Sequence, residues 1–127
     1  MHKPFLYRRS TWRGVYVDLW TVPHIISGFC IAYLSLVWHM EYATAFWMTL
    51  SIGIGWELVE RITRLSRTEA YTNSLSDIVG AQLGFMAGWK LFSYFADAKL
   101  SLILILSMCA VFCVVCLFGY RAFKYYG

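Results

Sequence analysis

The stretch SDIVGAQLGFMAGWKLFSYF, residues 76–95, sets the architecture of this chain. It is twenty residues of mainly apolar character, the length a helix needs to cross a bilayer core of about 30 Å. Gly80, Gly84 and Gly88 recur at a spacing of four, which places them on one helical stripe as two overlapping GxxxG steps. A stripe without side chains lets another backbone approach closely. Whether that backbone belongs to another span of this chain or to a second copy stays open at this point.

Working outward, three further apolar segments fit the same length. They run at about 21–40, 44–62 and 100–120. Short connections between apolar helices make antiparallel neighbours. The expected fold class is therefore all-α, an integral membrane bundle of four transmembrane helices forming one domain over residues 1–127. Composition agrees: 60% of residues are hydrophobic and 14% are charged, with a mean hydropathy of +0.57. Thr21 is expected to cap the first span, and Pro23 suits its first turn. Thr21 to Met40 is longer than the apolar core of a signal peptide, so it reads as a retained helix. The fourth span is aliphatic and carries no interior charge.

The placement of charge orients this bundle. The formal net charge is +4, and nine of the eleven Lys and Arg fall before the first span, between the second and third, or after the fourth. By the positive-inside rule both termini are cytoplasmic. Residues 1–20 interleave Arg8, Arg9 and Arg13 with Tyr7, Trp12, Tyr16 and Trp20, a basic interfacial segment suited to anionic lipid headgroups. Membrane lipids are thus the expected partners. The cations decorate helix ends and form no continuous stripe, which disfavours nucleic acid. The four cysteines, Cys30, Cys109, Cys113 and Cys116, lie inside apolar segments and read as small packing residues.

Three ionisable residues interrupt the apolar segments, and each shares a face with a glycine. His24 lies four before Gly28, Glu57 four after Gly53, and Asp77 three before Gly80. Polar groups in hydrocarbon are costly and usually face a bundle interior. With the helices in register, His24, Glu57, Glu60 and Asp77 fall at one depth, near the cytoplasmic interface. They form the candidate acid–base set. His24, Glu57 and Asp77 also suit a divalent metal ion, the one cofactor these residues suggest. Arg61, Arg64, Arg67 and Asn73 stand beside them as candidate ligand-binding residues, since arginine forks match phosphate and carboxylate groups. A structural reading stands next to this one. Glu57 with Arg61, and Glu60 with Arg64, are four apart and would make ordinary helix-surface ion pairs. Asp77 at a helix start would favour its own dipole and free amides.

The order Asp18, His24, Glu57, Asn73, Asp77, Gly80, Gly84 resembles the VanZ-like family of small membrane proteins. The likeness covers roughly residues 18–88. It departs from that family in two respects: Asp18 and His24 are six apart, and Asn73 precedes Asp77. The resemblance implies a multi-pass protein of the bacterial cytoplasmic (inner) membrane, tied to glycopeptide tolerance or to cell-envelope lipids. Three functions compete. The residues would bind or process an envelope lipid or lipid-linked anionic group, with enzymatic activity left undecided. Alternatively, the chain is an accessory or assembly subunit, docking as a homo-oligomer or in a larger complex through the glycine face. Least favoured is a proton or ion transport component, because the polar residues stop at one depth.

Overall fold

The computed structural model of the protein describes residue 12 and residues 14–63, 70–95 and 98–126. Among these residues there are four helices and no strands. They are α1 (Thr21–Val37), α2 (Tyr42–Ile62), α3 (Tyr71–Tyr94) and α4 (Ala98–Tyr126). The all-α class and the number of helices match the expectation. One of them, α4, is long and apolar enough to cross a membrane, over Ser101–Ala122. At 17 residues, α1 is apolar but short. α2 and α3 have the length but not the hydropathy.

Two helix limits differ from expectation, each for a local reason. α1 stops at Val37 instead of reaching Met40. His39 adopts a left-handed conformation, φ 54°. The amides of His39 and Met40 fold back onto the carbonyls of Leu36 (3.1 Å) and Ser35 (2.9 Å). This is a Schellman cap, with histidine where glycine is commoner. α3 begins at Tyr71 and not at Ser76, because the amides of Asn73 and Ser74 already bond the Ala70 carbonyl at 2.9 and 3.3 Å. The polar residues before the apolar stretch thus continue the same helix. Asp77 consequently sits nearly two turns inside α3, and a capping role for it at the helix start is overturned.

α1 and α3 run parallel, and the glycine stripe is where they meet. A Cβ at Gly84 would collide with the Ile25 carbonyl, and one at Gly28 with the Ala81 carbonyl. At Gly88 it would stand 3.1 Å from Ala32 and Phe29, and at Gly80, 3.1 Å from Thr21. The partner of Gly80, Gly84 and Gly88 is therefore α1 of the same chain. A second copy reaching that face would have to displace α1. α2 runs antiparallel to both and buries Ala45, Thr49, Gly53 and Glu57, a four-residue ladder of small groups ending in a carboxylate. Gly55 has open space around it. We expect Gly55→Ala to be neutral or to stabilise by up to about 1 kcal/mol through helix propensity; denaturant titration of the purified protein would measure it.

Far from the charged cluster, Ala32, Ala45 and Phe85 form the apolar core, with Met40, Phe46 and Trp89 packed around them. Tyr42 links the rings, with its centroid 5.2 Å from Trp89 and 5.7 Å from Phe85. α4 packs on α1 and buries Ser101, Gly119 and Ala122. A Cβ at Gly119 would stand 2.5 Å from the Trp20 ring. Trp12 stacks edge-on against Trp20 at 5.3 Å, and both rings lie against Gly119 near the end of α4.

Among the described residues, polar groups are buried beside the apolar core and many large aliphatic groups are exposed. The largest fully buried side chains are Phe85, Asn73, Thr49, Asp77 and Ser35. Large aliphatic residues instead face outward, among them Leu34, Ile52, Leu58, Leu83, Leu106 and Val114.

Candidate functional site

The start of α1, the end of α2 and the start of α3 share one end of the bundle. Each helix has a small-residue stripe that turns its polar member inward. Thr21, His24 and Gly28 lie along α1, Gly53 and Glu57 along α2, Asp77 and Gly80 along α3. The close glycine contacts bring the backbones of α1 and α3 together, and α2 lies against α3 with Gly53 beside Ile78. As a result the three ionisable side chains meet.

His24 Nε2 lies 3.7 Å from Glu57 Oε1 and 3.8 Å from Asp77 Oδ2. One donor atom from each of the three residues falls within 4.8 Å of the others. Glu57 and Asp77 are 5% and 2% exposed, so both carboxylates are inside the protein. The convergence expected of His24, Glu57 and Asp77 is thus present.

The surrounding groups hold Asp77 firmly. Its Oδ1 accepts the Thr21 hydroxyl at 2.5 Å. Its Oδ2 accepts the Asn73 side-chain amide at 3.4 Å. The same amide reaches Asp18 Oδ2 at 3.2 Å. Asp18 in turn accepts the backbone amides of Trp20 (2.8 Å) and Gly14 (3.2 Å). Asn73 therefore sits wholly buried as a bridge between two carboxylates. Thr21 has a role its position in the sequence did not reveal. The N-cap of α1 is Trp20 and makes no side-chain cap bond, while Thr21 turns its hydroxyl across to α3. The available signal was its place three residues before His24, on the same face.

Arg61 lies one turn beyond Glu57 toward the helix end. It donates to Ser74 Oγ at 2.8 Å and lies over the Tyr71 ring at 4.0 Å. Both contacts tie α2 to the first turn of α3. Ser74 is a second residue missed on sequence grounds; it precedes Asp77 by three and faces inward. Glu60 accepts Trp56 Nε1 at 2.6 Å on the outer side of α2 and is not one of the three converging groups. Arg64 and Arg67 lie outside the described residues.

Chemically, an imidazole between two buried carboxylates can hold a proton, hold a cation or transfer a proton to a bound group. An anchored arginine one turn away can meet an anion. No family model, no curated protein and no solved structure matches this chain.

Proposed function

We propose that the chain is a four-span protein of the bacterial cytoplasmic membrane with both termini inside. Its His24, Glu57 and Asp77 site binds or processes the anionic headgroup of an envelope lipid or a lipid-linked phosphate. The observation that carries this reading is the meeting of three ionisable side chains from three helices at one end of an otherwise apolar bundle. The pattern of burial supports a lipid surround. A water-soluble domain places large aliphatic groups inside and leaves only limited apolar patches outside. Here every helix turns large aliphatic groups outward, while small and polar groups are buried together with Ile26, Phe29, Phe85 and Phe92. α1 is about 25 Å long at 1.5 Å per residue. The interfacial residues before it would extend its reach. The distribution of Lys and Arg supports a position for the site at the cytoplasmic face. The order of polar residues that resembles the VanZ-like family supports an envelope role.

In this reading Arg61 holds the phosphate while His24 and the two acids act on the group behind it. A single charge-assisted hydrogen bond contributes about 1.5–3 kcal/mol. Arg61→Ala should therefore lower the occupancy of phosphatidylglycerol, relative to phosphatidylcholine, roughly tenfold or more. Native mass spectrometry of the protein released from mixed-lipid nanodiscs reads this ratio. A wild-type protein that retains both lipids equally would overturn the proposal.

A further inference from the structure

We infer that His24 Nε2, one Glu57 oxygen and one Asp77 oxygen together form a binding site for a divalent first-row transition-metal ion. The inference stands on the geometry of these three side chains and does not require the lipid reading.

The distances point to a shared cation. At 3.7 and 3.8 Å, His24 Nε2 lies beyond hydrogen-bond reach of either carboxylate. Yet it is nearly equidistant from both. Donor atoms around one ion, each about 2.0–2.2 Å from it, stand roughly 3–3.6 Å apart. A slight inward movement of three side chains already within 4.8 Å of one another closes the site. The close glycine contacts hold α1 and α3, which carry His24 and Asp77, at a fixed separation, and Arg61 ties the end of α2 to Ser74 of α3.

The neighbours of Asp77 do what residues around a metal ligand generally do. Thr21 holds Oδ1 at 2.5 Å, and Asn73 approaches Oδ2. Such bonds fix a ligand's rotamer and tune its basicity. Three protein donors leave at least one position for water or an oxygen of a bound group. His24 is the most exposed of the three, its side chain 14% accessible, and marks the side from which an ion enters.

Donor chemistry selects the metal. One imidazole with two carboxylates suits Zn²⁺ or Mn²⁺, whereas Mg²⁺ prefers oxygen donors alone. A cation here would also let a phosphate approach two acids that would otherwise repel it.

The test uses the full chain in neutral detergent, stripped with chelator and without added lipid. Zn²⁺ titrated by calorimetry should bind at one equivalent and raise the melting temperature. At one hundred times its Kd, bound metal stabilises the folded state by about 2.7 kcal/mol, which raises the Tm by several degrees. His24→Gln and Asp77→Asn should each weaken binding at least tenfold, while Glu60→Gln leaves it unchanged. With Mn²⁺ as the probe, pulsed electron paramagnetic resonance should show coupling to an imidazole nitrogen that His24→Gln abolishes. If either variant fails to fold, the wild-type nitrogen coupling and melting shift still decide the matter. No binding of Zn²⁺ or Mn²⁺ by the folded wild type overturns the assignment. So does binding that survives in folded His24→Gln, which would place the ion on the cysteines. A response to Mg²⁺ in the absence of any to Zn²⁺ and Mn²⁺ overturns it as well.

Discussion

Gly84→Leu should separate α1 from α3 and lower stability by about 3 kcal/mol or more. The Gly84 Cα faces the Ile25 carbonyl so closely that even a methyl group has no room. Backbone cannot swing aside as a flexible side chain can, so the two helices would have to move apart. Overpacking in a well-fitted core costs about 1–3 kcal/mol when side chains alone adjust. Shifting a whole helix adds the loss of its other close contacts. Those include Gly28 against Ala81 and Gly88 against Ala32 and Phe29. In the lipid surround proposed above, such contacts would matter more than in water, because lipid tails solvate leucine as well as another helix does and leave packing as the main attraction. Unfolding of the detergent-solubilised protein by graded denaturant measures the loss. Gly84→Ala is expected to fall in the same direction with a smaller value. A Gly84→Leu protein as stable as wild type would show that α1 and α3 do not touch along this stripe.

Asp77→Ala is expected to destabilise the fold by about 3 kcal/mol, the second largest effect. Asp77 is the common acceptor for Thr21 and Asn73 and lies opposite His24. It is 2% exposed, so water cannot replace what is removed. A buried donor left without its acceptor costs about 1–3 kcal/mol, and here two lose theirs. Asp77→Asn keeps one oxygen for the Thr21 hydroxyl and should cost about 1 kcal/mol. Comparing the two variants separates structural support from ion binding. Asn retains most of the stability but not the negative charge, so it should remove the metal-dependent melting shift while the apo protein stays folded. Equal stability of Asp77→Ala and wild type would contradict the hydrogen-bond network around this residue.

The convergence of His24, Glu57 and Asp77 was legible because periodicity is local. Each shares a helical face with a glycine, and small-residue faces point inward. The helix count was legible for the same reason, since apolar runs separated by polar connections need only hydropathy to be seen. The end of α1 was not. His39 adopts a left-handed conformation that is uncommon without glycine, so nothing in the composition of residues 38–40 announced the reversal. The start of α3 was obscured because hydropathy rises at Ser76, whereas the hydrogen-bonded helix begins five residues earlier. That offset removes the alternative in which Asp77 stabilises the start of its own helix and leaves it an interior group. Thr21 and Asn73 were legible as polar residues near helix starts, but their shared partner lies on another helix or in another turn.

By itself, then, the order of residues determined four helices and, for the first three, the small-residue face and the ionisable group carried on it. Chain connectivity and side-chain size along a 3.6-residue period suffice for that. Only the tertiary structure decided that the glycines of α3 receive α1 of the same chain, in parallel, with Thr21 and Asn73 closing around Asp77. The fit depends on the backbone carbonyls of Ile25 and Ala81 meeting positions that lack a Cβ, a complementarity between surfaces that no single helix contains.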